Sequence, residues 1–220
     1  GVQTCALPIS AKTFLCLHGQ PSWSFLYRKM IPVFLESGAR VICPDWLGFG
    51  RSDKPVEDAV YTFHFHRNMM VELIKRLDLS NVTLVCQDWG GILGLTIPMD
   101  MPERFSRLLV MNTAIATGQS PGEGFEAWRA YNRTQPDMDV GALMKRGTSV
   151  LDDTEAAAYA APFPDITFKA GVRRFPELVM TDPGMEGVET SKRASNWWSN
   201  EWTGESFMAV GAQDPVLGPA

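Results

Sequence analysis

The chain predicts an α/β fold: a mostly parallel sheet flanked by helices, with a helical segment inserted late in the sequence. Three observations carry this. Short apolar runs alternate with stretches of helical periodicity, as a parallel sheet with crossover helices requires. One run, Val82 to Cys86, ends in a sharp glycine-rich turn that opens a helix. Between about Thr113 and Thr190 the strand signals vanish, and Pro, Gly and helix-forming segments such as Thr154 to Tyr159 take over.

In chain order, Phe14 to Leu17 is a first strand, stopped by His18-Gly19-Gln20-Pro21 at its carboxyl end. A helix is predicted through Phe25 to Glu36, then a strand at Arg40 to Cys43 and a Gly/Pro-rich loop through Pro55. Thr62 is placed to cap a helix in which Phe65, Met69, Leu73, Ile74 and Leu77 recur at helical spacing, predicting a core face. Strand Val82 to Cys86 and its helix follow, with Pro98 set to bend or end the latter. Strand Arg107 to Met111 closes the first half, and Phe207 to Gly211 is a late strand ending in Ala212-Gln213-Asp214.

The turn after the third strand, Gln87-Asp88-Trp89-Gly90-Gly91, has the strand, turn and helix of a nucleophile elbow, with a carboxylate at the nucleophile position. A carboxylate attacks sp3 carbon and leaves an alkyl ester, which water then hydrolyses. The indole N–H of Trp89 is a donor suited to a departing halide. The plainer alternative is that Asp88 caps the following helix and Trp89 packs in the core. The loop at His18-Gly19-Gln20-Pro21 is placed to complete an oxyanion hole, with His18 orienting the turn and Gln20 making a polar contact in the pocket. His64 and His66 stand two apart on a helix, so their side chains diverge, and packing is their expected role.

Composition narrows the classes. The 220 residues are 45% hydrophobic and 20% charged with net charge −5, which fits a soluble globular enzyme and not a nucleic-acid surface. There is no apolar run long enough for a membrane span, and no Cys-x-x-Cys or His-rich spacing for a metal. Cys16, Cys43 and Cys86 lie in or at the end of strand-like runs, as buried free thiols in a reducing, cytoplasmic setting would. No cofactor is expected.

Several segments together resemble the haloalkane dehalogenases of the α/β-hydrolase superfamily, close to the subfamily of the 1,2-dichloroethane-degrading enzyme. They are His18 to Pro21, Ser24 to Pro32, Gly48 to Pro55, the elbow, and Tyr159 to Pro164. The resemblance runs from Phe14 to Pro219. It implies that Asp88 is the nucleophile, that the indoles of Trp89 and Trp128 hold the halide, and that Asp214 is the acid orienting a histidine base. Gln20 stands where the family usually carries glutamate. Trp128 sits in Phe125-Glu126-Ala127-Trp128, matching the cap segment with the second halide-binding tryptophan, and Phe125, Phe163, Phe175 and Pro176 are expected to border the pocket.

The implied organisation is a core at 11–112, a helical cap at 113–190 and a returning core at 191–220, in a monomer acting on a small haloalkane with water and releasing halide. Gly1 to Ile9 resembles no segment of the family, so 1–10 is expected to be a non-native leader, and the sheet is expected to be incomplete at both ends. The superfamily order is nucleophile, acid, histidine, and none of His18, His64 and His66 follows Asp214. Turnover beyond the ester is therefore not expected of this chain. Two rivals remain: an epoxide hydrolase, which needs cap tyrosines such as Tyr131 and Tyr159 to protonate the epoxide oxygen, and a non-catalytic ligand binder on the same fold.

Overall fold

The computed structural model describes residues 12–214; the leader expected at 1–10 and the last six residues lie outside it. Five parallel strands form one sheet in the order β2-β1-β3-β4-β5: β1 Thr13–Leu17, β2 Arg40–Ile42, β3 Val82–Gln87, β4 Phe105–Met111 and β5 Glu205–Ala209. The chain leaves β1 toward β2 on one side and β3 toward β4 on the other. The carboxyl ends of β1 and β3 therefore flank a topological switch point, where such sheets bind ligands.

The central strands are predominantly apolar because both sheet faces are covered, and the first five residues of β3 are buried. Register does the positioning. Leu17 pairs with Cys86, so two residues further on Gly19 and Asp88 emerge side by side; Gln87 pairs with Met111, which sets Asp88 beside Asn112.

The helix expected at 25–36 is divided into a 3₁₀ turn at Ser24–Tyr27 and α1 at Met30–Glu36. Pro32 has no N–H to give, which suits the first turn of a restarted helix and not the middle of a continuous one. Helix α2, Phe63–Arg76, is capped by Thr62, whose hydroxyl accepts from Phe65 N–H. Its buried face matches the expected one only in its second half: Ile74 is buried and Leu73 and Leu77 pack against the core, but in the first turns Phe63, His66, Arg67 and Met70 point inward while Phe65 and Met69 are exposed. The reason is polar. Arg67 is satisfied inside by Thr96 and Asp100, partners on other segments that apolar periodicity does not register, and His66 Nδ1 lies 2.8 Å from the carbonyl of Thr62, the helix's own N-cap.

Helix α3, Trp89–Gly94, follows β3 and gives way to a turn at Pro98–Asp100. The segment expected to be a cap contains α4 Glu123–Thr134, α5 Val140–Gly147, α6 Asp153–Ala160 and α7 Ala170–Leu178. Helix α8, Val188–Asn200, spans position 190 and returns to the sheet side, with Trp198 Nε1 donating to Leu95 O at 2.6 Å.

Candidate active site

Asp88 has φ 51° and ψ −122°, a conformation that side chains other than glycine rarely adopt, and one that persists only where its surroundings enforce it. Three contacts do so. Asp88 N–H donates to Asn112 O at 3.1 Å, Asp88 O accepts from Thr113 Oγ1 at 2.6 Å, and Gly91 N–H reaches Asp88 O at 2.9 Å. Two glycines make room: a Cβ on Gly90 would lie 1.9 Å from Leu17 O, and one on Gly19 would lie 2.3 Å from Asp88 Oδ1. Glycine is a packing requirement at both.

Although Asp88 occupies the N-cap position of α3, its side chain makes no capping bond, so the capping alternative fails. Its carboxylate turns instead to the loop after β1, accepting from Gln20 N–H at 2.7 Å, and Trp89 N–H is its second backbone donor. Both donors are backbone amides of the turns that follow β1 and β3. Part of Asp88 faces a cavity and the rest is enclosed by protein; this desolvation outweighs the two amides and lifts its pKa to about 6, with the charge of Asp214 adding to the rise.

The cavity has a volume of about 260 Å³ and a predominantly apolar wall. Asp88, Gln20, Trp89, Phe125, Trp128, Pro176 and Asp214 all border it, so seven of the nine residues singled out in the sequence converge there. Trp128 projects from α4. No described residue accepts a hydrogen bond from the indole N–H of Trp89 or Trp128, whereas those of Trp46, Trp198 and Trp202 are all engaged. Two expectations need correction. Phe163 is buried behind the wall against Phe49, with ring centroids 6.2 Å apart, and is core packing. Phe175 does not border the cavity either; its ring lies 4.7 Å from the indole of Trp89 and backs it.

Asp214 accepts from Asn112 Nδ2 at 2.6 Å, and Asn112 Oδ1 accepts from Gly211 N–H at 2.9 Å, so one side chain ties the end of β4 to the loop carrying the acid. Asn112 was visible in the sequence only as a strand end. Ile92, Leu143, Met144, Thr148 and Val179 also border the cavity without any sequence signal, because their placement depends on how α5 and α7 pack.

His18 is buried with both ring nitrogens engaged: Nε2 accepts from Trp46 N–H at 3.0 Å, so Nδ1 carries the proton and donates to Gly19 O at 2.8 Å. It orients the turn. His66 lies under Phe175 with centroids 4.9 Å apart, and none of the three histidines borders the cavity.

A cavity at the switch point, a strained elbow with its carboxylate between two backbone amides, and helices closing over it define an α/β hydrolase. Residues 12–220 match the family model described as alpha/beta hydrolase fold. The chain is 43% identical over 212 residues to a haloalkane dehalogenase of Psychrobacter cryohalolentis, covering 95% of this chain and 69% of that protein. It is 41% identical to one of Mycolicibacterium paratuberculosis, with 97% and 71% covered. The tetrameric haloalkane dehalogenase of Paraglaciecola agarilytica NO2 superposes with a TM-score of 0.93 at 54% identity, covering 96% of this chain and 71% of that one. The chain belongs to the haloalkane dehalogenase family, hydrolases acting on carbon–halide bonds.

Proposed function

We propose that Asp88 carries out the first half of hydrolytic dehalogenation, forming a covalent alkyl ester with a small haloalkane. One observation carries this: a desolvated carboxylate on a strained elbow faces a 260 Å³ apolar cavity bordered by Trp89 and Trp128, whose indole N–H groups have no acceptor among the described residues. A carboxylate oxygen of Asp88 attacks the halogen-bearing carbon in line. The new C–O bond forms as the carbon–halogen bond breaks, and the halide leaves with the bonding pair toward the indoles of Trp89 and Trp128.

Hydrolysis would have water attack the ester carbonyl carbon, with the negative charge held by Gln20 N–H and Trp89 N–H. In this reading Asp214, which borders the same cavity, would orient a base. The chain's three histidines are at positions 18, 64 and 66, away from the cavity, so these 220 residues are expected to alkylate and stop at the ester. Tyr159 is buried and its hydroxyl is engaged by Arg28, and neither it nor Tyr131 borders the cavity, which disfavours epoxide opening.

We also propose a division into a core at 11–112, a cap at 113–190 and a returning core at 191–220, in a monomer; a solution mass of four chains would overturn the latter. Free, buried Cys16, Cys43 and Cys86 support a reducing, cytoplasmic setting.

The test is incubation with 1,2-dibromoethane, reading bromide and intact mass together. One bromide per chain with a bromoethyl adduct on Asp88, both absent in Asp88→Asn, is expected; bromide release by Asp88→Asn sinks the assignment. Diol from styrene oxide without halide release would move the reading to epoxide hydrolysis.

A further inference from the structure

The side chain of Gln20 does something its backbone does not. While Gln20 N–H holds Asp88, Gln20 Nε2 donates to Val172 O in helix α7 at 2.8 Å, across 152 positions of sequence. Val172 is buried, and its carbonyl is the one that residue 176 would bond in an unbroken helix. Residue 176 is proline and has no N–H. The proline therefore orphans a buried carbonyl, and the amide of Gln20 satisfies it.

We propose that Gln20 is a positioning residue: its side chain docks α7 onto the oxyanion loop through the carbonyl that Pro176 releases, and so fixes the halide-binding wall. Helix α7 carries Phe175, packed on the Trp89 indole, and Pro176, which borders the cavity. One residue thus sets the nucleophile with its backbone and the wall with its side chain. Glutamate, which the family usually carries here, is equivalent only while protonated: an ionised carboxylate has no hydrogen to give to Val172 O and would add a second negative charge near Asp88. The catalytic consequence rests on the dehalogenase reading; the hydrogen bond does not.

The test is a double-mutant cycle on the whole chain with Gln20→Met and Pro176→Ala. Alanine restores an N–H for Val172 O, so the two substitutions should compensate. Gln20→Met alone should raise amide exchange across Ala170–Leu178 about tenfold or more, the scale of leaving a buried carbonyl unpaired. On the Pro176→Ala background it should raise exchange less than about threefold. Equal effects on both backgrounds, or none on either, overturn the proposal. If Gln20→Met alone does not fold, the double variant must, and its failure overturns the proposal too.

Bromide affinity, read from quenching of tryptophan fluorescence, separates positioning from mere stability. It should weaken in Gln20→Met and Gln20→Glu and recover in the double variant to the Pro176→Ala value. Unchanged bromide affinity alongside a positive exchange cycle would make Gln20 structural only, and would overturn the positioning role. Absence of bromide binding by the unaltered chain would instead refute the dehalogenase reading, leaving the exchange cycle to decide the hydrogen bond.

Discussion

The two carboxylates of the site sit in contrasting parts of the molecule. Asp88 follows the central strand β3, whose first five residues are buried, and it is held by backbone groups from β1, β4 and α3. Asp214 follows β5, whose residues are exposed among the described part of the chain, with Phe207 at 66% and Met208 at 68%, and it accepts from the side chain of Asn112. Backbone contacts fixed by sheet register are hard to remove by substitution, and a side-chain tether at an exposed strand is not. Asp88 is thus held by backbone groups of the sheet's central strands, while Asp214, beyond the edge of the paired part of β5, is held in part by a side chain.

The contrast breaks first at the glycines. Gly90→Ala should destabilise the chain by about 3 kcal/mol or more, because its Cβ would meet backbone that cannot yield. Gly211→Ala, beside the acid, meets only Asn112 at ordinary contact distance and should change stability by under about 1 kcal/mol. Urea midpoints of the two variants measure the difference, and equal losses would erase it.

Next comes the charge on Asp88. Burial raises its folded pKa to about 6 against an unfolded value near 3.9, so the folded state holds this proton more tightly. The stability it contributes is fully present below about pH 4 and is lost as pH rises through 6, at most about 3 kcal/mol. Asp88→Asn should therefore stabilise the chain at pH 8 and leave it nearly unchanged at pH 4. Alkylation by the unaltered chain should rise with pH over the same interval, as the nucleophile ionises; a flat profile from pH 5 to 8 would contradict the shift. Smaller again, Trp128→Phe should weaken bromide binding by about tenfold, the scale of one hydrogen bond to a charged group.

These differences also explain what the sequence made legible. The elbow could be read because its requirements are local: an apolar run, an acid at the turn, then glycines where β1 passes within contact distance. The alternation of strands and helices revealed the sheet for the same reason. Of the inward face of α2, Ile74 could be read but Arg67 could not, because Arg67 is satisfied by Thr96 and Asp100, which are distant in sequence. Phe163 and the cavity residues of α5 were equally hidden, since an apolar side chain in a helix looks the same whether it faces a cavity or a neighbouring ring. Gln20 was marked as a polar contact, but its partner exists only because Pro176 freed a carbonyl elsewhere in the chain.

The smallest expected effect sharpens the contrast most. Asp214 raises the pKa of Asp88 only as the last of four influences, behind burial and the two amides. Asp214→Asn should therefore shift the pH profile of alkylation slightly downward, since a repelling charge is gone, and change the single-turnover rate at pH 8 by less than about threefold, the scale of a partly exposed charge. Asparagine keeps an oxygen for Asn112 Nδ2, so the tether survives the substitution. Asp214→Ala removes that oxygen and should still leave alkylation within about fivefold, because Asp88 N–H is held by the backbone oxygen of Asn112 and not by its side chain. A collapse of alkylation in Asp214→Ala would mean that the acid loop supports the elbow after all, and the two ends of the site would then be one structural unit.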